Sequence, residues 1–340
     1  MTDRLDVSIV VCTYNRADML RDALRSLARL RLPAGIAAEI LVVDNASKDH
    51  TPRVVDEVAR ESALPVRYVR ESQQGVVHAR NRGVAESRGE WIAFFDDDQL
   101  ADPDWIAELL AAAKQKQVRC VGGYVALKLP DGCDRKPAPF CRVLLGETVG
   151  RNSPRPYDHR FTPGTGNLMV HRSVFDDVGL FDPAYSRRGE DTDLFQRMLL
   201  AGIGGWFTPR AIVHHVTPAE RMTDEYLLRM CRLMSEGMAD DERAAHGPWK
   251  YPLVWTARLV QLLAVMLPRR SATFLRRDRE AALGARCRWT VAARSLRNGL
   301  RLMWRRGQVD FSAASVFRER SVNPKTGPVP DSCHCLPGRG

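Results

Sequence analysis

The sequence predicts an α/β fold built on a mostly parallel central sheet flanked by helices. Three observations carry this. Short apolar runs rich in β-branched residues alternate with amphipathic helical stretches from Val7 to Leu127. The runs are continuous rather than alternating, as in strands buried on both faces. Polar residues cluster where the runs end, and strands separated by helices at this spacing argue for βαβ units.

Val7–Thr13 reads as the first strand, followed by a helix carrying Leu20, Ala23, Leu24, Leu27 and Leu30 on one stripe. The next strand, Glu39–Asp44, runs into Asn45-Ala46-Ser47, with Ser47 expected to cap the following helix. Val66–Val69 and Trp91–Phe95 are further strands, separated by a helix over Val76–Ser87. A helix over Trp105–Gln117 then returns to a strand, Arg119–Leu127. Residues from Pro130 to Pro163 are rich in Pro, Gly and Arg and read as a long loop. Gly164–Val170 is a short strand, Gly189–Ala201 contains a helix, and Gly205–Phe207 and Ala211–His215 are two short strands. From Thr223 to Phe317 the chain is helical and basic, and Asn323–Gly340 is expected to be disordered.

The 340 residues carry a net charge of +10, but unevenly. Between Lys250 and Arg320 sixteen basic residues face four acidic ones, so the basic character belongs to this segment alone. The eight cysteines have no framework spacing, and Cys12 and Cys120 sit in apolar runs as core hydrophobes. Met1-Thr2-Asp3-Arg4 leads directly into the first strand, so no signal peptide and a cytoplasmic location are expected.

Ligands of open α/β sheets sit beyond the carboxyl ends of the strands. That rule selects Thr13-Tyr14-Asn15, Asp44 and Asp96-Asp97-Asp98. Three adjacent carboxylates repel one another unless a cation or hydrogen-bond donors compensate, so this run is either a hard-cation site or an acidic turn capping the next helix. Gly189-Glu190-Asp191-Thr192-Asp193 opens a helix; its acids are either dipole partners or include a general base. His214-His215 ends an apolar strand, where an imidazole is either a satisfied structural group or a metal ligand. No glycine-rich turn follows the first strand and no P-loop segment is present, which disfavours dinucleotide-dependent hydride transfer and P-loop phosphoryl transfer.

Five segments in order resemble the family-2 glycosyltransferases of GT-A fold: Ser8–Arg16, Glu39–Ser47, Ala79-Arg80-Asn81-Arg82-Gly83, Phe95–Asp98 and Gly189–Leu194. The resemblance runs from Val7 to about Arg221. It implies a Rossmann-like GT-A catalytic domain over 1–222, with a nucleotide-sugar-binding half (1–127) and an acceptor half (128–222). A basic helical extension (223–320) and a tail (321–340) follow. It further implies inverting transfer from a UDP-, dTDP- or GDP-sugar to a glycan or lipid-linked acceptor, in cell-surface polysaccharide or lipid-linked glycan synthesis. Thr13, Tyr14, Asn15, Asp44, Arg80, Asp96 and Asp97 would bind the nucleotide-sugar. Asp98, with Asp96 and His215, would hold Mg²⁺ or Mn²⁺; His214 is the alternative to His215. Asp191 would be the base, with Glu190 beside it. Gly164-Thr165-Gly166-Asn167 either lines the acceptor side or is a tight turn. The rival readings are a sugar nucleotidyltransferase and a non-catalytic nucleotide-sugar-binding scaffold.

Tyr251–Leu267 is apolar but interrupted by Arg258 and Gln261, too broken for the roughly 20 apolar residues of a bilayer span. A helix lying on an anionic membrane surface is expected instead, its apolar side formed by Leu259, Leu262, Leu263 and Met266. A helical subdomain or dimer surface is the alternative. Nucleic acid is not expected, since no recognised module accompanies the charge.

Overall fold

The computed structural model describes residues 5–148, 153–159, 161–185, 189–236, 238–268 and 278–304. The expected tail, the helical stretch beyond Trp304 and the Arg269-Arg270 pair lie outside them.

The first four parallel strands are β1 (Val7–Thr13), β2 (Ala38–Asp44), β3 (Val66–Arg70) and β4 (Trp91–Asp96). Between them run α1 (Ala17–Leu27), α2 (Thr51–Glu61) and α3 (Val76–Glu86). β1 sits between β2 and β4, and β3 lies outside β2, all in parallel register. Because strand side chains alternate faces, these runs feed two cores at once. Val7, Ile9, Val11, Ile40, Val42, Ala93 and Phe95 pack on one side of the sheet. Val10, Leu41, Val43, Ile92 and Phe94 pack on the other. Helices α1 and α2 cover the first face, joined by α4 (Trp105–Lys116). α3 covers the second, and Gly83 is required there because a Cβ would overlap Val10 Cγ1 of β1.

The second half of the sheet is mixed. β6 (Cys120–Lys128), β8 (Asn167–His171) and β9 (Trp206–Val216) extend it in the order β4-β8-β6-β9. β8 is antiparallel to both β4 and β6, while β6 and β9 run parallel. Two short strands border β9: β5 (Gln99–Ala101) and β7 (Arg155–Pro156), both antiparallel to it. The sheet is therefore parallel through β4 and mixed beyond it.

Several local expectations are corrected. The 205–207 and 211–215 runs are one strand, β9, bulged where Thr208 faces Gly123 and Ile212 faces the next residue, Tyr124. Pro209 lies in that bulge, where its missing N–H leaves no ladder bond unmade. The carbonyl of Ala211 accepts from Asn167 Nδ2 at 3.0 Å instead. The Pro130–Pro163 region contains α5 (Pro139–Leu144) as well as β7. Leu30 falls beyond α1, and Ser47 is not a helix cap: α2 begins after His50. α6 (Ser173–Val178) and α7 (Glu190–Leu200) pack under the second face, and α8 (Asp224–Ser235) follows β9.

Two compact units are formed. The first comprises Met1–Met230 with Arg276–Cys287, the second Cys231–Leu275 with Arg288–Gly340. In the second, α9 (Met238–Gln261) breaks at Gly247, where φ is 73°, and resumes at Pro248. It continues through a wide turn, Leu262–Met266; α10 spans Arg279–Trp304, and its residues from Arg288 onward belong to this unit.

Candidate active site

Strands β1, β2 and β4 end side by side because they are in register, so Thr13 faces Asp44 and Cys12 faces Asp96 across the sheet. Immediately beyond, the chain is knitted by side chains. Thr13 Oγ1 donates to Asp97 Oδ2 at 2.8 Å, and Arg16 Nη1 donates to Asp97 Oδ1 at 2.9 Å. Asn15 adopts φ 51°, a left-handed conformation that asparagine tolerates. Its N–H donates to Ser47 Oγ at 2.9 Å and its Oδ1 accepts from the Lys48 N–H at 2.8 Å. Asp44, buried, accepts from the Ser47 N–H at 2.8 Å and from the Tyr68 hydroxyl at 2.6 Å. Ser47 thus joins two strand ends, and Asp97 and Asn15 shape the rim. Tyr14 is exposed.

The three neighbouring aspartates have different surroundings. Burial pushes the Asp96 carboxyl up to about 6, with Arg80 opposing and the charges of Asp98 and Asp97 adding to the rise. Burial also raises Asp97, against Arg16 and Thr13. Asp98 is held below the usual carboxylate range: burial opposes its charge, but His215, Arg16 and Arg221 outweigh burial. Asp98 Oδ2 lies 3.4 Å from His215 Nε2, 3.3 Å from Arg16 Nη1 and 3.7 Å from Arg221 Nη2.

Only one of the paired histidines reaches this cluster, since successive residues of β9 face opposite ways. His215 points at Asp98, and its Nδ1 donates to the Leu145 carbonyl at 2.8 Å. A carbonyl can only accept, so that bond fixes the proton on Nδ1 and turns Nε2 toward the cluster. Burial disfavours a charge on this imidazole, but Asp98 overrides it and raises the pKa. His214 instead bonds Asp102 at 2.9 Å.

A cavity of about 480 Å³ opens beside the cluster. It is lined by Asp96, Gln99, His215, Arg80, Glu190 and Asp191, with the 164–167 turn as one wall. That segment is thus both a turn and part of the pocket. Gly166 is needed in it because a Cβ would overlap Asp96 Oδ2 and Gln99 Nε2. Asn167 forms the base, accepting from Trp105 Nε1 at 2.8 Å and donating to the carbonyls of Tyr124 and Ala211. Glu190 and Asp191 come from the first turn of α7. Glu190 is buried against the Arg80 guanidinium, which also lies over the Phe181 ring. Arg80 therefore joins Glu190 and the cavity wall, while Asp44 does not line the cavity. Asp191 is half-buried; burial and the Glu190 charge raise its pKa, opposed by a bond from the Thr192 N–H at 2.7 Å.

Four residues of this site escaped sequence reasoning. Arg16 and Arg221 neutralise the aspartates, Tyr68 orients Asp44, and Gln99 lines the cavity. Gln99 is 4% exposed, and its Oε1 has no hydrogen-bond partner among the described residues. Its only signal was its place beside the aspartate run.

Among the described residues no group of three His, Cys, Asp or Glu side chains is assembled as a complete metal cage. The donors that do converge, the Asp98 carboxylate and the His215 imidazole, nevertheless suit a hard divalent cation. Such ions are commonly held by one or two protein ligands, with substrate phosphates and water completing the shell.

Comparison with known proteins agrees with this architecture. The profile of glycosyl transferase family 2 matches residues 8–179, a little over half of the chain. The succinoglycan biosynthesis protein ExoM of Rhizobium meliloti is 29% identical over 231 residues, covering 67% of this chain and 72% of that protein. The glucosyl-dolichyl phosphate glucuronosyltransferase of Haloferax volcanii is 29% identical over 193 residues, 55% of this chain and 59% of that one. In structure, the mannosyltransferase PcManGT of Pyrobaculum calidifontis, solved with GDP-Man and Mn²⁺, superposes with a TM-score of 0.57 at 21% identity, covering 90% of this chain and 89% of its own. A mixed α/β sheet with flanking helices and these neighbours defines a GT-A fold. The chain belongs to glycosyl transferase family 2.

Proposed function

We propose that this chain transfers a sugar from a nucleoside-diphosphate sugar to an acceptor hydroxyl with inversion, in the synthesis of a cell-surface polysaccharide or lipid-linked glycan. The observation that carries the proposal is that one cavity is lined both by Asp96, at the end of β4, and by Asp191, in the first turn of α7. Relatives named for succinoglycan synthesis and for glucuronosyl transfer to a dolichyl phosphate sugar support the acceptor class.

Thr13, Asp44 and the rim they share receive the base and ribose of a UDP-, dTDP- or GDP-sugar, with Asp96 on the ribose side. Asp98 and His215 hold Mg²⁺ or Mn²⁺, and Arg16 and Arg221 add positive charge at the same end. When bound, the cation offsets negative charge on the leaving diphosphate. Asp191 takes the proton of the acceptor hydroxyl, a role that its raised pKa favours by making the carboxylate more basic. The acceptor oxygen then bonds to the anomeric carbon as the carbon–oxygen bond to the diphosphate breaks, and the electron pair leaves with the nucleoside diphosphate. A single displacement inverts the centre. Glu190, ion-paired with Arg80, adds its charge to the burial that keeps Asp191 basic.

The test is a thermal-shift panel of nucleoside diphosphates and their sugars, with and without Mn²⁺, on the wild type, Asp98→Asn and Asp191→Asn. Asp98→Asn is expected to lose the Mn²⁺-dependent shift, and Asp191→Asn to keep the shift while losing transfer. An unchanged shift in the first variant, or retained turnover in the second, refutes the corresponding role.

A further inference from the structure

The second unit has two apolar faces where a surface helix needs one. After the break at Gly247, α9 turns Tyr251 and Leu262 inward, and both are buried. Trp255 Nε1 donates to the Leu296 carbonyl of α10 at 2.8 Å, and the Tyr251 hydroxyl lies against Gly299 of α10, where a Cβ would overlap it. This inward face includes much of the surface stripe expected from the sequence: Leu262 is buried, and Leu259 and Met266 are half-buried. Of the four expected residues, only Leu263 is exposed.

The helix nevertheless carries a second apolar stripe on its outer side. Trp249, Leu253, Val260 and Leu263 are spaced by four, seven and three residues, which places them on one face of a 3.6-residue helix. They are 90%, 73%, 58% and 52% exposed. α10 adds a similar exposed edge, with Leu300 43% and Trp304 83% exposed between and beyond Arg297 and Arg301. Single exposed apolar residues are ordinary, but an aligned row with tryptophan at its end marks an interaction surface.

Charge identifies the occupant. Residues 248–268 and 288–304 contain Lys250, Arg258, Arg288, Arg294, Arg297 and Arg301 and no aspartate or glutamate. Arg258 is paired with Glu242, whereas Lys250, Arg297 and Arg301 have no acidic partner among the described residues. A second copy of the chain would bring the same positive surface against this one and repel it. Exposed tryptophan and leucine flanked by unpaired basic residues suit the boundary between anionic headgroups and acyl chains. No helix among the described residues is long and apolar enough to cross a membrane. We propose that the outer face of α9, with the Arg297–Trp304 edge of α10, docks the second unit onto an anionic lipid surface, lying on it rather than spanning it.

The experiment is co-sedimentation of the full chain with vesicles of phosphatidylcholine alone and of phosphatidylcholine mixed with phosphatidylglycerol. Binding to the mixed vesicles is expected, weakened by salt, with little binding to the neutral ones. The Trp249→Ser, Leu253→Ser, Val260→Ser triple variant alters only exposed side chains, so it should keep its circular dichroism spectrum and lose binding. Arg297→Gln with Arg301→Gln should weaken partition roughly 30-fold, at about a fivefold contribution for each basic residue near the surface. The proposal is overturned if the wild type ignores anionic vesicles, or if both variants bind them as well as the wild type. It is equally overturned if the face proves to mediate a concentration-dependent dimer that the serine variant dissolves while vesicles are not bound.

Discussion

Replacing Asp96 with asparagine should stabilise the ligand-free protein while disabling donor binding. The Asp96 carboxyl titrates at about 6 against an ordinary 3.8, because burial penalises its charge more than Arg80 compensates it. Proton linkage sets the sign. An acid whose folded pKa is raised binds more protons in the folded state than in the unfolded one, so its contribution to stability is greatest below the unfolded pKa. That contribution is lost as pH rises from about 4 through about 6. The full loss is at most about 3 kcal/mol, since each tenfold change in proton affinity between the two states is worth about 1.4 kcal/mol. Asparagine cannot ionise, so Asp96→Asn should match the wild type near pH 4 and exceed its stability by up to about 3 kcal/mol near pH 8. Asp97 and Asp191 titrate in the same direction and Asp98 in the opposite one, which is why the difference between the two proteins is the quantity to follow. Urea unfolding read by tryptophan fluorescence in chelator-containing buffer across this pH range supplies it. Parallel stability profiles for the two proteins, or a less stable variant at the alkaline end, would show that the Asp96 carboxyl is not held above its ordinary pKa.

Two further outcomes are expected. Trp105→Phe removes the donor to Asn167 Oδ1 beneath the cavity and leaves a buried acceptor unpaired, costing about 1–3 kcal/mol; a lowered urea midpoint at unchanged slope checks this, and an unmoved midpoint contradicts it. His215→Ala should lose the Mn²⁺-dependent thermal shift given by a nucleoside diphosphate, while His214→Ala, whose ring bonds Asp102 away from the cluster, should keep it. Equal behaviour of the two variants would remove His215 from the cation site.

The parallel half of the fold was legible because β1, β2 and β4 are buried on both faces and so leave continuous apolar runs. The mixed half was less so. β5 is three residues long and directly follows the aspartates, too short for a periodic signal. β9 read as two strands because Pro209 interrupts its pattern, yet the bulge is bridged by Asn167, more than 40 residues earlier in the chain. The exposed side expected from Leu259, Leu262 and Met266 turned inward for a related reason: the helix is apolar on two sides, and only packing against α10 determines which one is covered.

The sequence alone determined which strand ends carry acids and which helix begins with Glu190-Asp191, since both are properties of consecutive residues. The tertiary structure decided what each acid is. Asp96 became a half-buried acid with a raised pKa, Asp97 a rim partner of Thr13 and Arg16, and Asp98 a depressed carboxylate facing His215. Three identical side chains in a row differ only through burial and through neighbours contributed by distant parts of the chain. Those neighbours, Arg80, Arg16, Arg221 and one of two adjacent histidines, meet only once the sheet has closed.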